Sequence, residues 1–243
     1  SIVKAGGIQA VVRAARTNSD SASVQEKCFD ALHSLAADEL AWAVLAGEGG
    51  IDVLLEGMAE HVMEKAVQEA GLSAVRALTS DDVTCRTIIQ EGGGFRTIMF
   101  AMQVHIHEAF LQENALAAVS NLLGSSSVQV EKGDVDAIVD VMNAHPNEGG
   151  VQKWACVCLY KLAMSENDTN IAIMRESTRM LYAVQMAGDK FPGECRALAE
   201  RLLGNCAVGG LGREDFSGFG AVGVSRGIGQ RAGSPPVAGI QQR

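Results

Sequence analysis

Four stretches of the chain share one arrangement of apolar and polar positions. VQEKCFDALHSLA begins at Val24, VQEAGLSAVRALT at Val67, LQENALAAVSNLL at Leu111 and VQKWACVCLYKLA at Val151. Each opens on an apolar residue, carries a small one four positions on, and larger apolar ones eight and eleven on. Those positions are Cys28, Leu32, Leu35; Gly71, Val75, Leu78; Ala115, Val119, Leu122; and Ala155, Leu159, Leu162. Offsets of 0, 4, 8 and 11 fall on one face of a helix, so each stretch predicts a long amphipathic helix. A fifth, degenerate stretch starts at Cys195 with Ala199, Leu203 and Cys206, and the five starts lie 43, 44, 40 and 44 residues apart.

A second element precedes each long helix. GGI occurs at Gly6-Gly7-Ile8 and at Gly49-Gly50-Ile51, GGF at Gly93-Gly94-Phe95, and a weaker version at Gly133-Asp134-Val135. Three of these runs end in MAEH (58–61), MQVH (102–105) and MNAH (142–145). The glycine pair predicts a sharp backbone turn at the start of a medium helix. His61, His105 and His145 are expected at its C-terminal end, where an imidazole can bond the last carbonyls. A third element, DELAWAVLAG (38–47), DDVTCRTIIQ (81–90) and NDTNIAIMRE (167–176), predicts a short helix with Asp38, Asp81 and Asp168 as N-caps or first-turn acids. The gap GSSSVQVEK (124–132) is shorter and predicts one turn or none.

A period of about 40–47 residues holding two or three helices marks armadillo and HEAT solenoids, in which stacked units share one continuous core. GGI-x-x-L-L, then M-x-x-H, then V-Q-E…A-L…L-A resembles the armadillo-repeat family over residues 1–208, in the variety with M-x-x-H after the second helix. The resemblance implies an all-α, right-handed α-solenoid of about five repeats, at about 1–37, 38–80, 81–124, 125–164 and 165–208. Residues 209–243 form a Gly-rich tail without helical period, expected to be flexible.

The resemblance also implies that the third, long helix of each repeat lines a concave groove that holds extended peptides. In the nuclear-import adaptors of the family, offset 6 of that helix is tryptophan and offset 10 asparagine. Here offset 6 carries Asp30, Ser73, Ala117, Val157 and Arg201, and offset 10 carries Ser34, Ala77, Asn121, Lys161 and Asn205. Only Asn121 and Asn205 match, and the tryptophan ladder is missing, which argues against the import-adaptor mechanism. Trp154, at offset 3 with Val157 and Lys161 beside it, is either an aromatic anchor in the groove or a wedge between repeats. Lys27, Asp30, Ser34, Ser73, Asn114, Asn121, Trp154, Val157, Lys161, Arg201 and Asn205 are the candidate partner-binding residues.

Composition changes the picture little but narrows the partners. The net charge is −9 and no basic stripe stands out, so nucleic acid is not the expected partner, and a basic or mixed-charge protein is easier to accommodate. No apolar run reaches membrane-spanning length and no signal peptide is visible, which with the cysteine usage leads to an expected cytoplasmic or nuclear location. The six cysteines show no CxxC pairing and are expected to be small buried hydrophobes in a reducing compartment. The glycine pairs lack the lysine of a phosphate loop. Equivalent histidines on stacked helices, about 8–10 Å apart, are too distant to share zinc. No nucleophile stands in a recognisable local signature with a histidine. The expectation is therefore a monomeric, non-enzymatic scaffold with no cofactor and no metal, binding a protein or peptide. A receptor for basic cargo peptides is the alternative, and an enzyme on a helical scaffold the third reading.

Overall fold

A computed structural model describes residues 3–37, 39–81, 89, 92–123, 128, 130–164 and 168–207. Every regular element among them is a helix. In chain order these are α1 (Gly7–Thr17), α2 (Ala22–Leu35), α3 (Glu39–Gly47), α4 (Gly50–Glu60), α5 (Lys65–Asp81), α6 (Gly94–Val104), α7 (Ala109–Leu122), α8 (Lys132–Ala144), α9 (Gly149–Ala163), α10 (Asp168–Glu176), α11 (Thr178–Lys190) and α12 (Arg196–Ala207). The long helices predicted from the 0, 4, 8, 11 pattern are α2, α5, α7, α9 and α12.

Packing follows the order of the chain. The long helices form one row, each touching the next: α2 on α5, α5 on α7, α7 on α9, α9 on α12. The medium helices form a second row in the same order: α1 on α4, α4 on α6, α6 on α8, α8 on α11. Core residues lie between the rows, among them Phe29, Leu32, Leu54, Met58, Leu72, Leu78, Ile98, Met102 and Leu159, all at most 1% exposed. Val3, Ile8 and Val12 are buried against this core as well.

The glycine turns take the form the sequence predicts at three places. Gly6, Gly49 and Gly93 sit at the N-cap of α1, α4 and α6 with φ of 80°, 66° and 77°, a left-handed conformation that costs an L side chain about 1–2 kcal/mol. The weaker version at Gly133 is built differently. There the N-cap of α8 is Glu131 in extended conformation, and a reciprocal capping box with Asp134 satisfies the free amides. No glycine pair precedes α11, where the Ser177 hydroxyl accepts from Met180 N at 3.3 Å instead.

The short-helix expectations hold for α3 and α10. The side chains of Asp38, Asp81 and Asp168, and nearly all of 82–91, lie outside the described residues, as do 124–127, 129 and the tail from 208.

Candidate functional site

The long helices are held in place at their N-terminal edge by a bond pattern repeated in register. Gln25, Gln68, Gln112 and Gln152, each one residue after the start of its stretch, are buried. Each side-chain amide donates twice, to carbonyls of the preceding medium helix and the loop after it. Gln25 reaches Ala15 O and Asn18 O, and Gln68 reaches Met58 O and His61 O. Gln112 reaches Met102 O and His105 O, and Gln152 reaches Met142 O and His145 O. Ala15, Met58, Met102 and Met142 are among the last carbonyls of their helices, which no intrahelical N–H can reach. One glutamine thus ties a helix end, its loop and the next helix together. Because both partners only accept, the amide nitrogen must face them. The amide oxygens of Gln25, Gln68 and Gln112 have no hydrogen-bond partner among the described residues.

The histidines occupy the C-cap positions of α4, α6 and α8, as expected. Their imidazoles do not turn back onto their own helix. His61 Nε2 donates to Ser19 O at 2.5 Å, His105 Nε2 to Val62 O at 2.7 Å and His145 Nε2 to Ile106 O at 2.7 Å. Each acceptor is the loop residue just after the C-cap one period earlier. The expected helix cap is therefore a link between neighbouring periods, and the accepting carbonyl requires the proton on Nε2. Lys65 and Glu108 add an exposed ion pair at 2.5 Å along the same edge. Their hydrogen bond holds the lysine above and the glutamate below its ordinary range.

The opposite side of the long-helix row faces solvent, and the candidate residues lie along it. Lys27, Asp30, Ser34, Arg201 and Asn205 are exposed, while Ser73, Asn121, Trp154, Val157 and Lys161 are half-buried. Asn114 and Ala117 on α7 are buried, at 4% and 1% exposure. The face is thus open at both ends and covered in the middle.

The cover comes from a residue that was not among the candidates, Arg76 of α5. Its guanidinium donates to Asn114 Oδ1 at 2.9 Å and lies 5.6 Å from the centroid of the Trp154 ring. Side chains of α5, α7 and α9 therefore meet at one point. Trp154 packs against the core at one edge and carries cations elsewhere, with Lys153 Nζ 5.3 Å from its centroid.

Several candidate polar groups are engaged within their own helix or with the preceding long helix. Asn114 also donates to Phe110 O, and Asn121 Nδ2 donates to Thr79 Oγ1 at 3.2 Å. Lys161 Nζ donates to Ser120 O at 2.5 Å, and Asn205 Nδ2 lies 3.2 Å from Met164 Sδ. Lys27 is held by Glu26 at 2.5 Å and Asp30 at 3.5 Å, and chiefly the Glu26 hydrogen bond raises its ammonium above the lysine range.

Sequence reading missed Arg76 and the four glutamines. The glutamines had a signal: an uncharged polar residue recurring at offset 1 of an otherwise apolar-lined helix in four stretches. Arg76 had none, because its neighbours at offset 9 are His33, Ser120 and Tyr160.

The cysteines lie beneath this face. Cys28, Cys156, Cys158, Cys195 and Cys206 are buried free thiols, and Cys85 lies outside the described residues. Cys158 donates to Leu116 O, and burial pushes its thiol up to about 12. Cys156 points instead toward Cys195, and that hydrogen bond together with burial raises its thiol. Among the described residues no group of three or more His, Cys, Asp or Glu stands together to hold a metal ion, and no helix is long and apolar enough to cross a membrane.

No family model matches the chain, and no curated protein matches it significantly. Among solved structures, the chain is similar to a crystal structure of an engineered protein from the Northeast Structural Genomics Consortium, with a TM-score of 0.55 and 17% identity over 84% of this chain and 98% of that one. A likeness at that identity concerns the fold: an all-helical arrangement.

Proposed function

We propose that the protein is a non-enzymatic scaffold: a right-handed, armadillo-like α-solenoid of about five repeats that binds another protein along the exposed face of its long helices. The observation that carries this reading is the contrast between the two sides of the long-helix row. The N-terminal edge is consumed by the same internal bonds in period after period. The outward face varies from period to period at most of its positions, and it presents exposed side chains at α2 and α12 and half-buried ones between. A stacked array keeps such a face continuous and rigid, which suits an extended segment with its side chains set at the spacing of the helices. Trp154, half-buried and flanked by Arg76 and Val157, has the character of an anchoring station for a partner side chain.

The test is site-specific photo-crosslinking in the cell of origin. A benzophenone side chain placed at Ser73 or Val157, on the long-helix face, is expected to capture a protein partner. The same group at Asp52, exposed on α4 in the other row, is not. Capture of the same species from all three positions, or from Asp52 alone, overturns the proposal.

A further inference from the structure

Two positions of the long helices change charge along the row. At offset 2 the successive residues are Glu26, Glu69, Glu113 and then Lys153. At offset 6 they run from Asp30 through Ser73, Ala117 and Val157 to Arg201. At these two offsets the acids fall on α2, α5 and α7 and the bases on α9 and α12, in a chain whose net charge is −9; Glu26 and Asp30 are paired with Lys27 and Glu69 with Lys65, and Glu200 stands beside Arg201. Lys153 and Arg201 are exposed, and among the described residues neither forms an ion pair. Glu113 is set against Gly150 and Glu194 against Gly149 in the first turn of α9, where a carboxylate meets the free amide end of the helix.

The same end of the face holds its apolar surface. Trp154, Val157 and Tyr160 of α9 are half-buried, as is Leu198 of α12. The Trp154 ring already has two cations against it, Arg76 at 5.6 Å and Lys153 at 5.3 Å. A third cation from a partner would meet like charge there, so the ring is a poor slot for a lysine or arginine side chain. A carboxylate beside an apolar side chain meets the opposite situation: cations within reach and an aromatic surface next to them.

Resting on the scaffold reading above, we infer that the α9–α12 end of this face seats an acidic segment of a partner protein. The segment's carboxylates pair with Lys153 and Arg201, and an apolar side chain lies on Trp154 and Val157. The inference reverses the partner charge that the net charge of the chain favours.

The test is panning of a random twelve-residue peptide display library on the full-length protein and, in parallel, on the Lys153→Glu/Arg201→Glu variant. Both positions are exposed, and an unchanged circular dichroism spectrum and urea midpoint establish that the variant is folded. Peptides enriched on the wild type should be rich in Asp and Glu with one or more Leu, Phe or Trp. Their affinity, read by fluorescence anisotropy, should fall at least tenfold in the charge-reversed variant and in Trp154→Ala, and should weaken as salt is raised from about 50 to 500 mM. Enrichment of basic peptides, or of acidic peptides indifferent to both variants, overturns the inference and leaves the scaffold reading standing. No enrichment on either protein overturns both.

Discussion

The N-terminal edge of the long-helix row and its outward face are made by the same five helices, yet they obey opposite rules. On the edge, a glutamine bonds two carbonyls in four successive periods and a histidine bonds the preceding loop in three. On the face, equivalent positions carry Lys27, Ala70, Asn114, Trp154 and Leu198, with nothing in common but their direction. Where every period repeats a residue, it maintains the geometry between neighbours. Where each period differs, the residues are free to answer to something outside the chain. This division separates architecture from recognition more sharply than burial does, since Gln112 and Asn114 are both buried and belong to opposite sides of it.

The comparison breaks most visibly at the edge. Gln112→Leu keeps the volume but strands one buried and one part-buried carbonyl, and losing two hydrogen bonds of this kind costs about 2–4 kcal/mol. Urea unfolding should show that loss, with little effect on peptide binding at α9 and α12. The glycine turns come next. Gly93→Ala places a side chain at a φ of 77° with nothing within 4 Å to hinder it, so the cost is backbone strain of about 1–2 kcal/mol. Gly133→Ala, in α8 with ordinary φ and equally open space, should instead stabilise by about 0.5–1 kcal/mol. The pair of substitutions, compared by thermal unfolding, tests whether the fourth turn has exchanged a glycine for a capping box.

On the face, Arg76→Ala removes one hydrogen bond and one cation–ring contact and should cost only about 1 kcal/mol. Its diagnostic effect is a change in Trp154 emission in a Trp42→Phe background, together with greater access of a quencher to α7–α9. Unchanged emission would mean that the bridge does not cover the middle of the face. The smallest effect is at Cys158. Its native thiol titrates near 12 against an ordinary value of 9.0, so below pH 9 neither the native nor the unfolded chain ionises there and nothing is contributed. Between pH 9 and about 12 the unfolded chain loses a proton that the native chain retains, and stability falls. The urea midpoint of Cys158→Ala, lower at neutral pH because of the missing sulfur, should approach that of the wild type as pH rises through this window.

The layout of helices was legible because it is written in periodicity. Leu32, Val75, Val119 and Leu159 recur at offset 8, and their burial follows from that alone. The glycine turns were legible because glycine has one common reason to recur before a helix. The side-chain links were not. His105 could equally have bonded its own helix end, and which carbonyl it meets depends on how far the next period is displaced, a distance that no local pattern encodes. Arg76 was illegible for a related reason: it acts across α7 on a ring 78 residues away, and only the packed row brings the two together. The open face and the exposed Lys153 and Arg201 were present in the sequence by offset, but their significance required knowing which offsets point outward.

The acceptors of the three histidines have a consequence for how such a chain can change length. Ser19, Val62 and Ile106 stand in equivalent places, each one residue past the C-cap of its medium helix. If residues 63–106 were excised, Val62 would join His107. Gln112 would then face Met58 and His61 as Gln68 does now, and His145 would find Val62 where it now finds Ile106. The glutamine and histidine bonds would close again with substitutes, though the Lys65–Glu108 ion pair would go, Ala109 standing where Lys65 did; a cut that is not a whole period would leave donors and acceptors mismatched. The edge thus works as a gauge: the chain can gain or lose material by whole units of about 44 residues, and the outward face is free to be rewritten with each one.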